Sequence, residues 1–189
     1  MHNAKKIIAL AALVTASPSF AADSLEARLA ASEDRAAIEQ LVTGDYPRAL
    51  DHRKWADYAA LFTSDGALTM RDTTVTGPAE IEKYFINFRS PSAGSRPPPR
   101  PGEIRTLHIV TNVSFKITGD TAVGGAYWQT IGVADGHTSV LSAGHYEDVL
   151  KKKGGTWKFA KRVIVSDLAP PTAGAAPSST SGAGAPSSK

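Results

Sequence analysis

The stretch "RTLHIVTNVSFKITGDTAVGGAYWQTI", residues 105–131, contains two runs of β-branched and aromatic residues joined by a "TGD" turn. Two runs of the same kind follow, "TSVLSAGHYEDVL" at 138–150 and "TWKFAKRVIVSD" at 156–167, each preceded by a glycine-containing turn. Such runs are typical of β-strands, and the segments between them are typical of hairpin turns. The second half of the chain is therefore predicted to form four sequential antiparallel strands.

The part of the chain before these strands has helical periodicity. Apolar residues recur at helical spacing from Ala30 to Val42, with charged residues on the opposite side. A short second helix is expected from Trp55, ending in the "TSDG" turn at 63–66, and another helix should begin at Pro78, because proline is tolerated in a first turn. Helices followed by a meander predict an α+β fold, with helices packed on one face of a curved antiparallel sheet.

The two ends of the chain differ from this central part. Lys5 and Lys6 precede an apolar run and then small residues, which is the pattern of a cleaved secretory signal over residues 1–21. That run is shorter than the ~20 residues that span a bilayer, and no later segment is apolar enough, so no membrane span is predicted. Residues 169–189 are rich in Pro, Ala, Gly and Ser and predict a disordered tail. We expect a periplasmic or secreted protein with one domain at 22–168.

Composition argues against several classes of function. Lys5 and Lys6 account for two of the three net positive charges, and the remaining charge forms no basic stripe for a nucleic acid. The chain has no cysteine, which excludes disulfides and thiol chemistry. No HxH or HxxxH pattern and no glycine-rich phosphate loop occur, so neither a metal site nor a cofactor is predicted.

The run from residue 105 carries a histidine among apolar residues. In a regular strand His108, Val110 and Asn112 share one face, and Leu107 and Ile109 share the other. Both faces are partly apolar. If helices cover one face, the other needs a partner subunit, which predicts a homo-oligomer, either a dimer or a trimer.

An acid, Asp51, lies near the end of the first helix, in "RALDHRKW" at residues 48–55, shortly after Pro47. A proline there removes one helical hydrogen bond and is expected to kink the helix and turn Asp51 inward. Asp51 and His108 are candidates for an acid–base pair. The residues alone leave an alternative open, in which His108 is a core histidine bonded to a backbone carbonyl and Asp51 only ends a helix.

Three segments carry a resemblance to a known family. They are "RAAIEQLVTGDYPRALDHRKWADYAALFTSDG" at 35–66, "IRTLHIVTN" at 104–112 and "GHYEDVLKKKGGTWKFAKR" at 144–162. They resemble SnoaL-like domains of the nuclear transport factor 2-like superfamily, in particular the branch of the gamma-hexachlorocyclohexane dehydrochlorinases and scytalone dehydratases. The resemblance implies a cone-shaped fold around one cavity and a cofactor-free lyase with an Asp–His pair.

The resemblance also implies roles for individual residues. Asp51 and His108 occupy the positions of the catalytic pair: Asp51 would accept a hydrogen bond from one ring nitrogen, and the other would take a proton from the substrate. Arg162 matches an arginine that lines the dehydrochlorinase cavity. Tyr46 stands where the dehydrochlorinase has a lysine, and the second histidine of scytalone dehydratase is replaced near Ala126 and Tyr127, so neither substrate is carried over.

The substrate-binding candidates are Tyr46, Arg162, Asn112 and Tyr127. Alternatives remain for three of them: Tyr46 could be a core tyrosine, Asn112 could bond neighbouring backbone, and Tyr127 and Trp128 face opposite ways, so that only one lines the cavity. The expected substrate is a small hydrophobic, possibly aromatic, compound. An isomerase or polyketide-type cyclase and a non-catalytic ligand-binding module are the competing predictions, because one fold hosts many functions.

Overall fold

The computed structural model describes residues 24–88, 104–134 and 136–168. Three segments lie outside the described residues: the predicted signal at 1–21, the tail at 169–189 and the proline-rich segment at 89–103, whose composition predicts a loop at the cavity mouth. Within the described residues, no helix is long and apolar enough to cross a membrane.

The helices precede most of the sheet, as predicted. The first begins after Ser24, whose hydroxyl oxygen accepts a hydrogen bond from the N–H of Ala27 at 3.2 Å. It continues through a π-helical turn into a second helix that ends at Asp51, and the last helix begins at Pro78. The bounds are α1 Leu25–Glu39, the π turn Gln40–Asp45, α2 Tyr46–Asp51, α3 Trp55–Ala60 and α4 Pro78–Asn87.

The sheet has six strands in the order β2-β1-β6-β5-β4-β3. The four predicted strands form a sequential antiparallel meander, and β1 joins it by pairing parallel with β6. The bounds are β1 Phe62–Met70, β2 Thr73–Thr76, β3 Thr106–Thr118, β4 Thr121–Ala134, β5 His137–Lys153 and β6 Thr156–Leu168. The sheet is therefore mixed and larger than the predicted four-stranded antiparallel one.

The prediction that "TSDG" is only a turn is wrong, because these residues lie inside β1. The pairing of β1 with β6 shifts register between Phe62 and Ala67, so the polar residues form an irregularity within a strand. Gly66 permits this approach, since a Cβ there would lie 2.7 Å from the carbonyl oxygen of Phe159. Pairing with a strand that is distant in sequence outweighs the turn preference of Ser, Asp and Gly, and the local residues do not reveal this pairing.

The core lies between the helices and the inner face of the sheet. Its centre is aromatic: Tyr58 contacts Tyr46 and Phe62, and Phe159 of β6 contacts both of these rings. The start of α1 is largely exposed, and Asp34 ties this helix to the sheet by accepting bonds from Trp157 Nε1 at 2.8 Å and Lys152 Nζ at 2.7 Å. The helices therefore cover one face of the sheet.

A β-bulge in β3 changes which residues face this core. Pairing with β4 steps from Thr111–Tyr127 to Ser114–Gly125, so β3 contains one extra residue, and Asn112 has a positive φ of 54°. The prediction that Asn112 shares a face with His108 is therefore wrong. Asn112 is exposed, and the inward alternation resumes at Val113.

Candidate active site

Asp51 and His108 are in direct contact. The Nδ1 atom of His108 lies 2.6 Å from Oδ1 of Asp51, and the side chains are 18% and 9% exposed, respectively. The predicted contact between these residues, 57 positions apart in the chain, is confirmed. Both side chains are sheltered, yet the imidazole retains some access to solvent.

The same carboxylate also binds the backbone of β3. The backbone N–H of His108 lies 3.1 Å from Oδ1 and 3.2 Å from Oδ2 of Asp51. An ionised carboxylate only accepts hydrogen bonds, so Nδ1 of a neutral His108 must carry the proton. The other ring nitrogen, Nε2, then has a free lone pair. Asp51 therefore holds His108 both by its ring and by its backbone, and in the neutral ring it leaves one basic nitrogen available.

Each partner is placed by its own element. Asp51 ends α2, and the N–H of His52 closes that turn on the carbonyls of Arg48 and Leu50. His108 lies near the start of β3, opposite Thr130 of β4, on the face that the helices cover. The pair therefore joins the helical layer to the far edge strand of the sheet.

Arg162 lies fully buried under the sheet's inner face. Its Nε and Nη2 atoms donate to the two carboxylate oxygens of Asp148 at 2.8 Å and 2.6 Å. The guanidinium lies 3.9–4.0 Å from the ring centroids of Tyr46, Tyr146 and Phe159. Within the described part of the chain, Nη1 has no hydrogen-bond partner.

Arg162 stays positively charged among these aromatic rings. Burial by itself would lower the pKa of the guanidinium, but the charge and hydrogen bonds of Asp148 outweigh burial and raise the pKa. Arg162 is thus a permanent cation paired with a buried carboxylate. The sequence predicted Arg162 as a cavity residue but did not predict its partner.

Tyr46 is also fully buried, and it belongs to a cluster of three tyrosines. The hydroxyl of Tyr58 donates to that of Tyr46 at 3.0 Å, and the ring of Tyr146 lies edge-on to Tyr46 with centroids 5.5 Å apart. Burial raises the pKa of Tyr58 and of Tyr146 well above the usual value. These two phenols therefore stay protonated and act as hydrogen-bond donors.

Asn112 and Tyr127, the remaining predicted binding residues, lie on the outer face of the sheet, opposite His108. Tyr127 is 56% exposed, whereas its neighbour Trp128 is 6% exposed and stacks on Tyr146. Of the two alternatives, Trp128 is the one that faces inward. The prediction that Tyr127 lines the same cavity as His108 is therefore wrong.

Two surface depressions lie away from the Asp51–His108 pair. One, of about 290 Å³, lies on the outer face and is lined in part by Asn112, Tyr127 and His145. The other, of about 390 Å³, lies between β2 and α4 and is lined in part by Tyr84 and Phe88. Neither contains Asp51 or His108.

The outer face carries a second histidine–aspartate pair. Nδ1 of His145 lies 2.7 Å from Oδ2 of Asp167, and the hydrogen bond to Asp167 raises the pKa of His145. Both side chains are more exposed than those of the inner pair. In residues 24–88, 104–134 and 136–168, no three His, Asp or Glu side chains are grouped so that they could hold a metal ion.

Sequence reasoning missed Asp148, the partner of Arg162. The alternation in "HYEDVL" at 145–150 places Tyr146 and Asp148 on one face, which is the only local signal. That Asp148 meets Arg162 depends on the register of β5 and β6, in which these two residues are direct partners.

A known protein family matches most of the chain. Residues 30–163 match the family described as the SnoaL-like domain. The comparison with curated proteins gave no match.

Solved structures share the fold. LinA is 23% identical with a TM-score of 0.61, covering 75% of this chain and 90% of its own. A nuclear transport factor 2-like protein with a cystatin-like fold from Novosphingobium aromaticivorans is 20% identical, with a TM-score of 0.62 and coverage of 74% and 86%. A candidate scytalone dehydratase from the same organism is 21% identical, with a TM-score of 0.57 and coverage of 75% and 89%. At these identities the likeness shows the fold alone.

Proposed function

The chain belongs to the SnoaL-like domain family, and on this premise we propose that it is a cofactor-independent lyase in which His108 is the general base. The observation that carries the proposal is the 2.6 Å contact between Asp51 and His108 Nδ1, which directs Nε2, the other ring nitrogen, away from the carboxylate. A general base needs an available lone pair and a group that stabilises the cation formed when it takes a proton. Asp51 supplies the second requirement.

In an elimination, Nε2 of His108 takes a proton from a substrate carbon. The electron pair of that C–H bond forms a double bond to the neighbouring carbon, and the leaving group departs with its bonding electrons, either as halide or as hydroxide, which takes the proton from the imidazolium to become water. In a retro-aldol reaction the same nitrogen takes a hydroxyl proton, and the O–H electron pair forms the C=O bond of a small aldehyde. The electron pair of the broken C–C bond moves to the other carbon, which then takes the proton from the imidazolium. Asp51 stabilises the imidazolium in both cases.

The proposed substrate is a small hydrophobic compound, with aromatic compounds among the candidates. Aromatic side chains on the inner face support this, since Trp128 and Tyr146 stack with centroids 6.1 Å apart. Arg162 and Tyr46 are proposed to form the floor of the cavity. The Arg162 Nη1 atom, which lacks a partner among the described residues, is suited to a substrate oxygen or a departing anion.

Replacement of the pair tests the proposal. His108→Ala should reduce turnover of a substrate found by screening small aromatic compounds by roughly 10² to 10⁴-fold, while affinity for the compound falls far less. Asp51→Asn should also reduce turnover, because an amide does not stabilise the imidazolium.

His145→Ala is the matched control, because it removes the other histidine that contacts an aspartate, on the opposite face of the sheet. It should leave turnover unchanged. Equal rates for the wild type, His108→Ala and Asp51→Asn would contradict the proposal. A compound that binds and is recovered unchanged from every screen would favour a binding module, and an isomer or ring-closed product would favour an isomerase or cyclase.

We also propose that the protein is exported and forms a homo-oligomer. The signal-like composition of residues 1–21 supports export, and N-terminal sequencing of protein from a periplasmic extract, which should begin near Ala22, tests it. Exposed apolar side chains on the outer face, among them Leu107, Ile109 and Tyr127, support a partner subunit on that face.

A further inference from the structure

The helix that carries Asp51 is continuous from α1 to α2 but contains the π turn Gln40–Asp45. Within this turn, the N–H of Tyr46 donates to the carbonyl of Leu41, five residues earlier. An α-helix would use the carbonyl four residues earlier. A π turn therefore adds one residue to the helix, and such turns are rare and often lie at functional sites.

The extra residue shifts the buried side of the helix by one position. The buried positions before and at the start of the turn are Ile38, Leu41 and Val42. In an uninterrupted α-helix the centre of this stripe would continue at Asp45, seven residues after Ile38 and four after Leu41. Asp45 is exposed, and Tyr46 is buried in its place.

This shift determines the direction of Asp51. One α-helical residue corresponds to a rotation of about 100°. Without the extra residue, each side chain of α2 would point in the direction that the side chain of the following residue has now. Asp51 would take the exposed direction of His52, and Asp45 would take the buried direction of Tyr46.

We propose that the π turn is the positioning element of the acid–base pair, and that Pro47 holds it in place. Pro47 has no N–H, so the carbonyl of Thr43 has no α-helical donor, and in an α-helix the proline ring would clash with that carbonyl. The wider turn removes this clash. It also avoids the burial of Asp45, whose carboxylate would need a partner in the core.

Side chains within the turn are adapted to its width. Nε2 of Gln40 donates to Oδ1 of Asp45 at 2.9 Å, a contact between residues five apart that do not face each other in an α-helix. The contact passes over Gly44, where a Cβ would lie 2.4 Å from that nitrogen. Gly44 therefore leaves room for the Gln40 side chain.

The positioning role given to the π turn rests on the proposed function. The experiment that tests it detects the Asp51–His108 contact and does not depend on turnover. In protein labelled with ¹⁵N-histidine, the Nδ1 proton of His108 should give a hydrogen-bonded resonance, assigned by its loss in His108→Gln. The His145–Asp167 pair gives an internal reference in the same spectrum. A wild type without turnover on any compound would therefore count against the proposed function alone.

Two variants distinguish the effect of rotating α2 from the effect of removing the π turn. Gly44→Ala with Pro47→Ala keeps all residues but favours an ordinary α-helix, so the His108 resonance should be lost or exchange-broadened while the His145 resonance stays. Deletion of Gly44 in a Pro47→Ala background removes the extra residue, which gives an α-helix with the present direction of Asp51. That variant should retain the His108 resonance.

Pro78→Ala, which replaces the proline at the start of α4, controls for the loss of a helical proline and should change neither resonance. A full His108 resonance in Gly44→Ala/Pro47→Ala would overturn the role of Pro47. A folded deletion variant that lacks the His108 resonance would overturn the proposed register. If the substitution variant does not fold, the deletion variant alone decides.

Discussion

Arg162 and Asp148 form an ion pair whose two side chains are both 0% exposed. Two parallel hydrogen bonds and three aromatic rings surround the guanidinium. Burying both charges is costly, and the pair offsets that cost only while both members are present. The stability of this region therefore depends on both members of the pair.

Asp148→Ala should lower the free energy of unfolding by about 3–5 kcal/mol, because it leaves the Arg162 cation buried without a counter-charge. Chemical denaturation measures the change. Glu147→Ala, one residue away with a side chain 65% exposed, should change stability by less than about 0.5 kcal/mol. A similar cost for both variants would contradict the assigned role of the pair.

At the scale of the element, the bulge in β3 decides which side chains face the helices. Asn112 adopts a positive φ, a conformation that Asn tolerates and β-branched residues avoid. Before the bulge β3 presents His108 and Val110 to the core, and after it Val113 and Phe115. A regular strand would place one of these two groups in solvent.

Asn112→Val should therefore destabilise the fold by about 1–3 kcal/mol, since valine is strained at this φ. Asn112→Gly should cost less, because glycine adopts the conformation freely. Thr111→Val, an exposed neighbour outside the positive-φ region, is the control and should be nearly neutral. Equal unfolding free energies for the valine and glycine variants at 112 would show that the bulge does not depend on this conformation.

A contact between His145 of β5 and Asp167 of β6, on the outer face, makes a pH-dependent contribution to the free energy of unfolding. The hydrogen bond that His145 donates to Asp167 raises the pKa of His145 above its ordinary value of about 6.5. The folded state then binds the proton more tightly than the unfolded state, so this contribution is fully present below the unfolded pKa and is lost as pH rises through the folded pKa.

Asp167→Asn should reduce stability at about pH 5.5, below the ordinary pKa of His145, and its effect should shrink as pH rises through the raised pKa of the folded state. The effect should be small, since both side chains are substantially exposed. Thermal unfolding of wild type and variant across this pH range measures it, with the exposed turn residue Asp72 replaced by Asn as control. A deficit that grows with pH would contradict the sign.

At the scale of the whole molecule, the helices among the described residues cover one face of the sheet and leave the outer face open. The outer face exposes apolar side chains, of which Leu107 is 50%, Ile109 41% and Tyr127 56% exposed. Extended apolar patches of this kind mark surfaces that bind another protein. A second copy of the chain is the proposed occupant, because a closed homo-oligomer covers the same face in every subunit.

Ile109→Lys with Tyr127→Lys should convert the oligomer into a folded monomer, since two charges per subunit would have to be desolvated at the contact. Light scattering after size-exclusion chromatography measures the mass, and circular dichroism confirms folding. Leu29→Lys, at an exposed apolar position on α1, is the control and should leave the mass unchanged. A monomeric wild type would contradict the proposal.

The sequence by itself determined the features that depend on local pattern and on family resemblance. Alternation of β-branched residues located the four strands of the meander, and helical spacing and Pro78 located the helices. The resemblance to SnoaL-like domains singled out Asp51 and His108, whose contact the structure confirms. These features could be predicted because each depends on residues close in sequence or on a pattern shared with relatives.

Only the tertiary structure decided the rest. Strand β1 looks like a turn until β6 pairs with it, the partner of Arg162 depends on strand register, and the face of Asn112 depends on one extra residue in β3. The direction of Asp51 likewise depends on one extra residue in the helix. One residue reverses a side chain in a strand and rotates it by about 100° in a helix, so packing of the whole core selects among alternatives that local sequence leaves nearly equal.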